Sequence, residues 1–179
     1  MTGRRWKTTI MWCAVCGVGL SLAAAGTAKK RHHHGAHVHG TATLNIAIEE
    51  RTASVEFTSP AESVIGFEHQ AKSAADQQKQ AAALDLVRNK IASMVMFDPA
   101  LGCSFAPTKV EVVHQDEEHA EVHSVFAVSC NTPLAGSKLR FGFTKAFPAI
   151  QTVNVQVVAA TEQVGASIKR DKGELEVSR

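Results

Sequence analysis

The chain has no tyrosine, and both of its tryptophans, Trp6 and Trp12, fall within the first twelve residues. Five prolines and twelve glycines in 179 residues exclude collagen-like and low-complexity architectures. Charge of one sign is also missing. The formal excess of +2 comes from Arg4, Arg5 and Lys7, and residues 29–179 carry 16 basic against 17 acidic side chains. Such a balance gives no broad basic field for nucleic acid. Catalytic signatures are absent as well: no HExxH, GxSxG, P-loop or GxGxxG occurs, and no Ser or Asp is singled out by its neighbours.

Those three early basic residues precede an uncharged run, Thr8–Ala25, and the small residues Ala23-Ala24-Ala25-Gly26-Thr27-Ala28. A basic start, an apolar middle and a small-residue exit are the layout of a secretory signal peptide, expected over 1–28 with cleavage after Ala28. The alternative is a membrane anchor, since the run approaches the lower length limit for a span. With cleavage, no membrane span remains and the chain is exported to the periplasm. Cys13 and Cys16 leave with the signal. Cys103 and Cys130 stay, and in an oxidising compartment a lone pair is expected to form a disulfide. Their 27-residue separation lacks the clustering of thiolate metal ligands.

Lys29–Gly40, KKRHHHGAHVHG, has almost nothing to bury and is expected to be a mobile histidine-rich arm. A single α+β domain is expected over 41–179. Ala42, Leu44, Ile46 and Ile48 alternate with polar residues, then Ala53, Val55 and Phe57 do the same, which predicts a hairpin. Ser59-Pro60 ends it, and 61–70 reads as an irregular connection. Ser73 with Asp76 three positions on opens a helix over about 74–97, with Leu84, Val87, Ile91 and Met94/Val95 as its apolar stripe. Strands follow at 109–114 and 119–130. Leu139–Phe147 reads as a strand, a short second helix, or one after the other. Thr152–Ala160 is a strand, and 166–169 with 174–177 suggest a last hairpin. The expected class is α+β, with about seven mostly antiparallel strands, one main helix and one disulfide.

All nine histidines follow the signal, and His32, His33, His34, His37 and His39 fall within eight positions. Neutral imidazole is a good ligand for Zn(II) and other divalent metals. His37 and His39 are the first candidate ligands, with His32, His33 and His34 raising capture. His119, Glu121 and His123 share one face of a strand after the acidic run Asp116-Glu117-Glu118, and two imidazoles with a carboxylate suit Zn(II). The competing reading is a solvated polar sheet face. His114 joins this set if a four-residue loop spans 115–118. A three-residue loop at 116–118 pairs Val112 with Val122 and turns His114 away, and the apolar pattern prefers that register. His69 is a lone secondary candidate, more simply a structural histidine.

The chain resembles the ZrgA-like family of zinc-regulated periplasmic proteins. The resemblance is carried by His37-Val38-His39-Gly40 with the strand after it, and by Ser59-Pro60-Ala61-Glu62-Ser63-Val64-Ile65-Gly66-Phe67-Glu68-His69. Cys103, the stretch 119–130 ending in Val128-Ser129-Cys130, and Phe143–Pro148 before Thr152–Val157 extend it over most of residues 29–179. It implies a periplasmic, non-enzymatic protein that binds Zn(II) and assists zinc acquisition, passing ions toward a transporter's binding protein. Many members carry a long His/Asp-rich insert where this chain has only Val113–His123, which implies one or two sites rather than a store. The alternatives from other classes are an interaction module with weak metal affinity and a zinc hydrolase with an open coordination position.

Overall fold

Residues 38–160 and 162–177 are described in the computed structural model. The expected arm ligands His32, His33, His34 and His37, and the signal segment, lie outside the described residues. Within them, the two alternating runs form the predicted hairpin, β1 (Thr41–Glu49) and β2 (Thr52–Pro60), in antiparallel register from Thr43↔Thr58 to Glu49↔Thr52. Alternation at period two places Ala42, Leu44, Ile46, Val55 and Phe57 on one face, where all are buried.

The chain then makes a four-residue helix α1 (Ala61–Val64) inside the expected irregular connection, and the main helix α2 (Ala74–Met94). Ser73 caps α2 as its spacing predicts: its Oγ accepts from Asp76 N at 3.1 Å and donates to Asp76 Oδ2 at 2.7 Å. Leu84, Val87, Ile91 and Met94 are the buried stripe. The helix stops at Met94, three residues short of the expected end. Val95 is extended and opens β3 (Val95–Met96), which pairs with β6 (Lys138–Phe141). Gly142, just past β6, donates its N–H to Met94 O, and a Cβ there would lie 2.7 Å from Ser93 O. That close approach sets the helix end, and local periodicity does not report it.

The remaining strands are β4 (Ser104–His114), β5 (Ala120–Ser129), β7 (Thr152–Ala159), β8 (Glu162–Lys169) and β9 (Glu174–Glu176), with a short helix α3 (Phe143–Ala146) between β6 and β7. The main sheet runs β4-β5-β2-β1-β7-β8, and β1 and β7 are its one parallel pair among the described residues. A small antiparallel sheet, β3-β6-β9, completes an α+β fold. The stack of Phe57 on Phe143, 5.3 Å between ring centres, ties β2 to α3.

One expectation needs correction. Residues 166–169 and 174–177 do not form a hairpin: β8 pairs with β7, and β9 pairs with β6 in the other sheet. Arg170-Asp171 turn the chain with positive φ. Asp171 then accepts from Phe143 N and Thr144 N at the start of α3, so the turn docks across the molecule instead of closing locally.

Cys103 and Cys130 form the expected disulfide, at the Ser104↔Ser129 end of the β4–β5 pair. The opposite end of the sheet gathers several other features. The start of β1, the end of β2 with α1, and the 115–119 turn all lie there, since Thr43 pairs with Thr58, Pro60 with Glu121 and His114 with Ala120.

Candidate metal centre

Val38-His39-Gly40-Thr41 is a tight turn, closed by Thr41 N donating to Val38 O at 3.0 Å. Gly40 has φ +76°, a conformation glycine adopts at little cost. Its neighbours fix it on three sides: Gly40 N donates to Ser63 Oγ of α1 at 3.2 Å, and Gly40 O accepts from Gln151 N and Thr152 N of the β7 start. The turn holds His39 over the first turn of α1. There His39 Nδ1 lies 2.6 Å from Glu62 Oε2.

The third member comes from beyond α1. Gly66 ends that helix at φ +91° with its N–H on Ala61 O, and the chain reverses. Phe67 and His69 stack together, 4.5 Å between ring centres, while Lys79 Nζ sits 5.5 Å from the Phe67 ring and His69 Nε2 lies 3.6 Å from Asp76. These contacts bind the segment to the start of α2. Glu68, between the two stacked rings in sequence, joins His39 and Glu62. One donor atom from each of the three lies within 4.8 Å of the others, the single such group among the described residues.

Glu68 Oε1 is buried and has no hydrogen-bond partner. A buried carboxylate oxygen without a donor costs about 1–3 kcal/mol or more, and a second carboxylate close by adds repulsion. A divalent cation removes both penalties at once. Zn(II) ligands at about 2.0–2.2 Å in a tetrahedron stand about 3.3 Å apart, so His39 Nδ1 and Glu62 Oε2, 2.6 Å apart, must open slightly to admit the ion. His39 and Glu62 have the freedom to do so, with side chains 67% and 55% exposed. Imidazole with two carboxylates is a donor set for zinc and other borderline divalent ions.

The second expected set takes another form. Alternation puts Glu121 and His123 on the face of β5 opposite Ala120, Val122 and Ser124, as predicted. Each meets its own polar neighbour: Gln115 Nε2 donates to Glu121 Oε2 at 2.9 Å, and His123 Nε2 lies 2.7 Å from Glu56 Oε1 of β2. The hydrogen bond from His123 holds the Glu56 carboxyl below its ordinary range, with smaller help from Asn45 and Lys109. His119 stands just before the strand, its Nδ1 2.9 Å from both oxygens of Asp116. Asp116 raises the His119 imidazole above its ordinary value, and the charges of Glu68 and Glu118 act in the same direction. His119 is thus within electrostatic reach of the first group. The hairpin adopts the three-residue loop, with Val112↔Val122 and His114↔Ala120, so His114 faces away from Glu121 and His123.

A family model for ZrgA family zinc uptake proteins matches residues 36–177. The chain belongs to this family. Comparison with curated proteins returns no match. Membership in the ZrgA family gives the chain a role in zinc uptake and an association with zinc ion, and points to a non-catalytic part in that process. It is compatible with an exported protein, and among the described residues no helix is long and apolar enough to cross a membrane.

The sequence pointed to His39 but not to Glu62 or Glu68. Both stand inside the Ser59–His69 segment that carries the ZrgA resemblance. An acidic residue on each side of a helix-ending glycine, next to a histidine, was the available signal.

Proposed function

We propose that this ZrgA family member captures Zn(II) in the periplasm, after removal of residues 1–28, and passes it to a transporter's binding protein. His39, Glu62 and Glu68 are the anchoring donors. His37, two residues upstream of His39, and His119, within the field of Glu68, are the imidazoles that complete a set of four. His32–His34 raise the rate of capture. Glu121 and His123 serve the sheet surface through Gln115 and Glu56 rather than the ion.

The observation that carries this reading is the buried, unpartnered oxygen of Glu68 beside a second carboxylate and an imidazole. The exposed side of the site suits a carrier: an ion that must be handed on cannot be fully enclosed. Calorimetric titration of the intact protein with zinc tests it. Replacing Glu68 with Gln keeps the shape and removes the charge, and should weaken binding at least tenfold, about 1.4 kcal/mol. If His39→Ala, Glu62→Gln and Glu68→Gln all bind zinc as the wild type does, the three form only a surface ion pair worth about 0–1 kcal/mol, and the assignment fails.

A further inference from the structure

The main sheet has two edge strands, β4 and β8, and they are defended very differently. An edge strand offers a row of unpaired backbone groups to any other strand, and proline, bulges and covering side chains are the usual defences. β4 has all three. Pro107 lies on it, its register with β5 shifts between Pro107 and Lys109, and Arg88 of α2 donates to Val110 O at 3.2 Å. Among the described residues β8 has none of them. Its pairing with β7 runs unbroken from Thr152↔Lys169 to Ala159↔Glu162, and Gln163–Ile168 holds neither proline nor charge. We propose that β8 is a self-association edge, through which two copies of this chain join antiparallel into one continuous sheet.

The backbone fixes the register. Arg170 N donates to Gln151 O at 2.9 Å, so in this ladder Glu162, Val164, Ala166 and Ile168 turn their N–H and C=O toward β7. Gln163, Gly165 and Ser167 turn theirs outward, and all three are exposed. The open stretch stops at Lys169, whose carbonyl accepts from Lys172 N at 3.0 Å. Its centre is Gly165. An antiparallel copy centred there sets Gly165 against Gly165, Gln163 against Ser167 and Val164 against Ala166, so that facing residues lie on the same side of the joined sheet.

Three observations favour a second copy of this chain as the occupant. First, Gly165 does not have a positive φ, and a Cβ there would meet only Val155 O, at 3.6 Å, an ordinary contact. Nothing among the described residues requires glycine at this position, and a glycine inside a strand often marks the close approach of another backbone. Second, Val164 and Ala166 are only half-buried against the core, and each covers the other across the join. Third, the strand is acidic at one end and basic at the other. Reversal brings Glu162, whose Oε2 is buried without a hydrogen-bond partner, beside the partner's Lys169 and Arg170. Twofold symmetry repeats that contact at both ends. Lys169 lies at the end of the sheet where β1 starts, so the two candidate zinc sites stand at opposite ends of the joined sheet and stay open. The join does not depend on zinc.

Sedimentation equilibrium of the intact protein tests it. A monomer–dimer equilibrium in the micromolar range is expected, since an edge-to-edge contact is small. Ser167→Pro removes an outward N–H, leaves the β7 ladder intact and should weaken the dimer at least tenfold. Glu162→Lys should do the same without touching the backbone, so a folding defect in the proline variant cannot hide the answer. For the register, Val164→Cys and Ala166→Cys chains should cross-link in a glutathione redox buffer when mixed, and neither should when alone. A wild-type chain still monomeric at millimolar concentration overturns the join and leaves the edge to a strand from another protein. A dimer indifferent to both substitutions, or a mixture that does not cross-link, overturns it equally.

Discussion

His39 Nδ1 and Glu62 Oε2, 23 positions apart, meet at 2.6 Å where the turn before β1 crosses the first turn of α1. The contact exists because β1 and β2 are antiparallel neighbours, so the residue entering one strand lies beside the residue leaving the other. Glu68 is added by the reversal at Gly66. The candidate site is thus a property of one sheet end.

In the ion-free protein, the two carboxylates work against each other. Glu68→Gln should therefore leave the apo protein as stable as wild type or slightly more so, while zinc stabilises it less. An excess of zinc at 100 times its dissociation constant adds about 2.7 kcal/mol to a one-site protein. Thermal unfolding with and without zinc reads both effects. A marked loss of apo stability in Glu68→Gln would mean that the carboxylate has a structural donor instead.

Gly40→Ala should damage the site through the backbone. The position has φ +76°, and the new Cβ would stand 3.0 Å from Ala149 O. A cost of about 1–2 kcal/mol is expected for a non-glycine residue held there. Because the same turn presents His39, zinc affinity should fall along with the unfolding midpoint. Ala at the neighbouring Val38, 62% exposed, is the control and should change neither.

Much of this fold was written in local patterns. Alternation in 41–58 and 120–130, the Ser73–Asp76 cap and the apolar stripe of α2 each report a structure that the same few residues make for themselves. What was not legible depended on distant partners. The early end of α2 is set by Gly142, and the fate of 166–177 by docking of Asp171 on α3. The site divides in the same way. His39 stood out because histidine is clustered there, whereas Glu62 and Glu68 are ordinary acidic residues until α1 and the reversal at Gly66 bring them to it.

Acid should weaken the outer face of the sheet before the core. Glu56 has its carboxyl lowered chiefly by His123, so the stability it contributes is fully present above its ordinary value of 4.5. That contribution is lost as pH falls through the lower folded value. The side chain is 42% exposed, so the effect is at most about 1 kcal/mol. His123→Ala should flatten the acid limb of stability measured by urea unfolding between pH 5 and about pH 3. An identical acid limb in the variant would show that the His123–Glu56 contact does not form in solution.

The disulfide closes the end of the β4–β5 pair opposite the candidate site, with Cys103 and Cys130 flanking Ser104 and Ser129. Its loop of 27 positions corresponds to about 3–4 kcal/mol in the chain-entropy picture. Cys103→Ser/Cys130→Ser should therefore lower the urea midpoint substantially. It should leave zinc affinity nearly unchanged at temperatures where the protein stays folded, because β5 is still held by β2 through nine paired positions. His39, Glu62 and Glu68 stand on the turn before β1, on α1 and on the segment after it, none of which the disulfide constrains directly. A large loss of affinity in the folded double variant would instead mean that the disulfide positions the β4–β5 turn, and with it His119, for the zinc site.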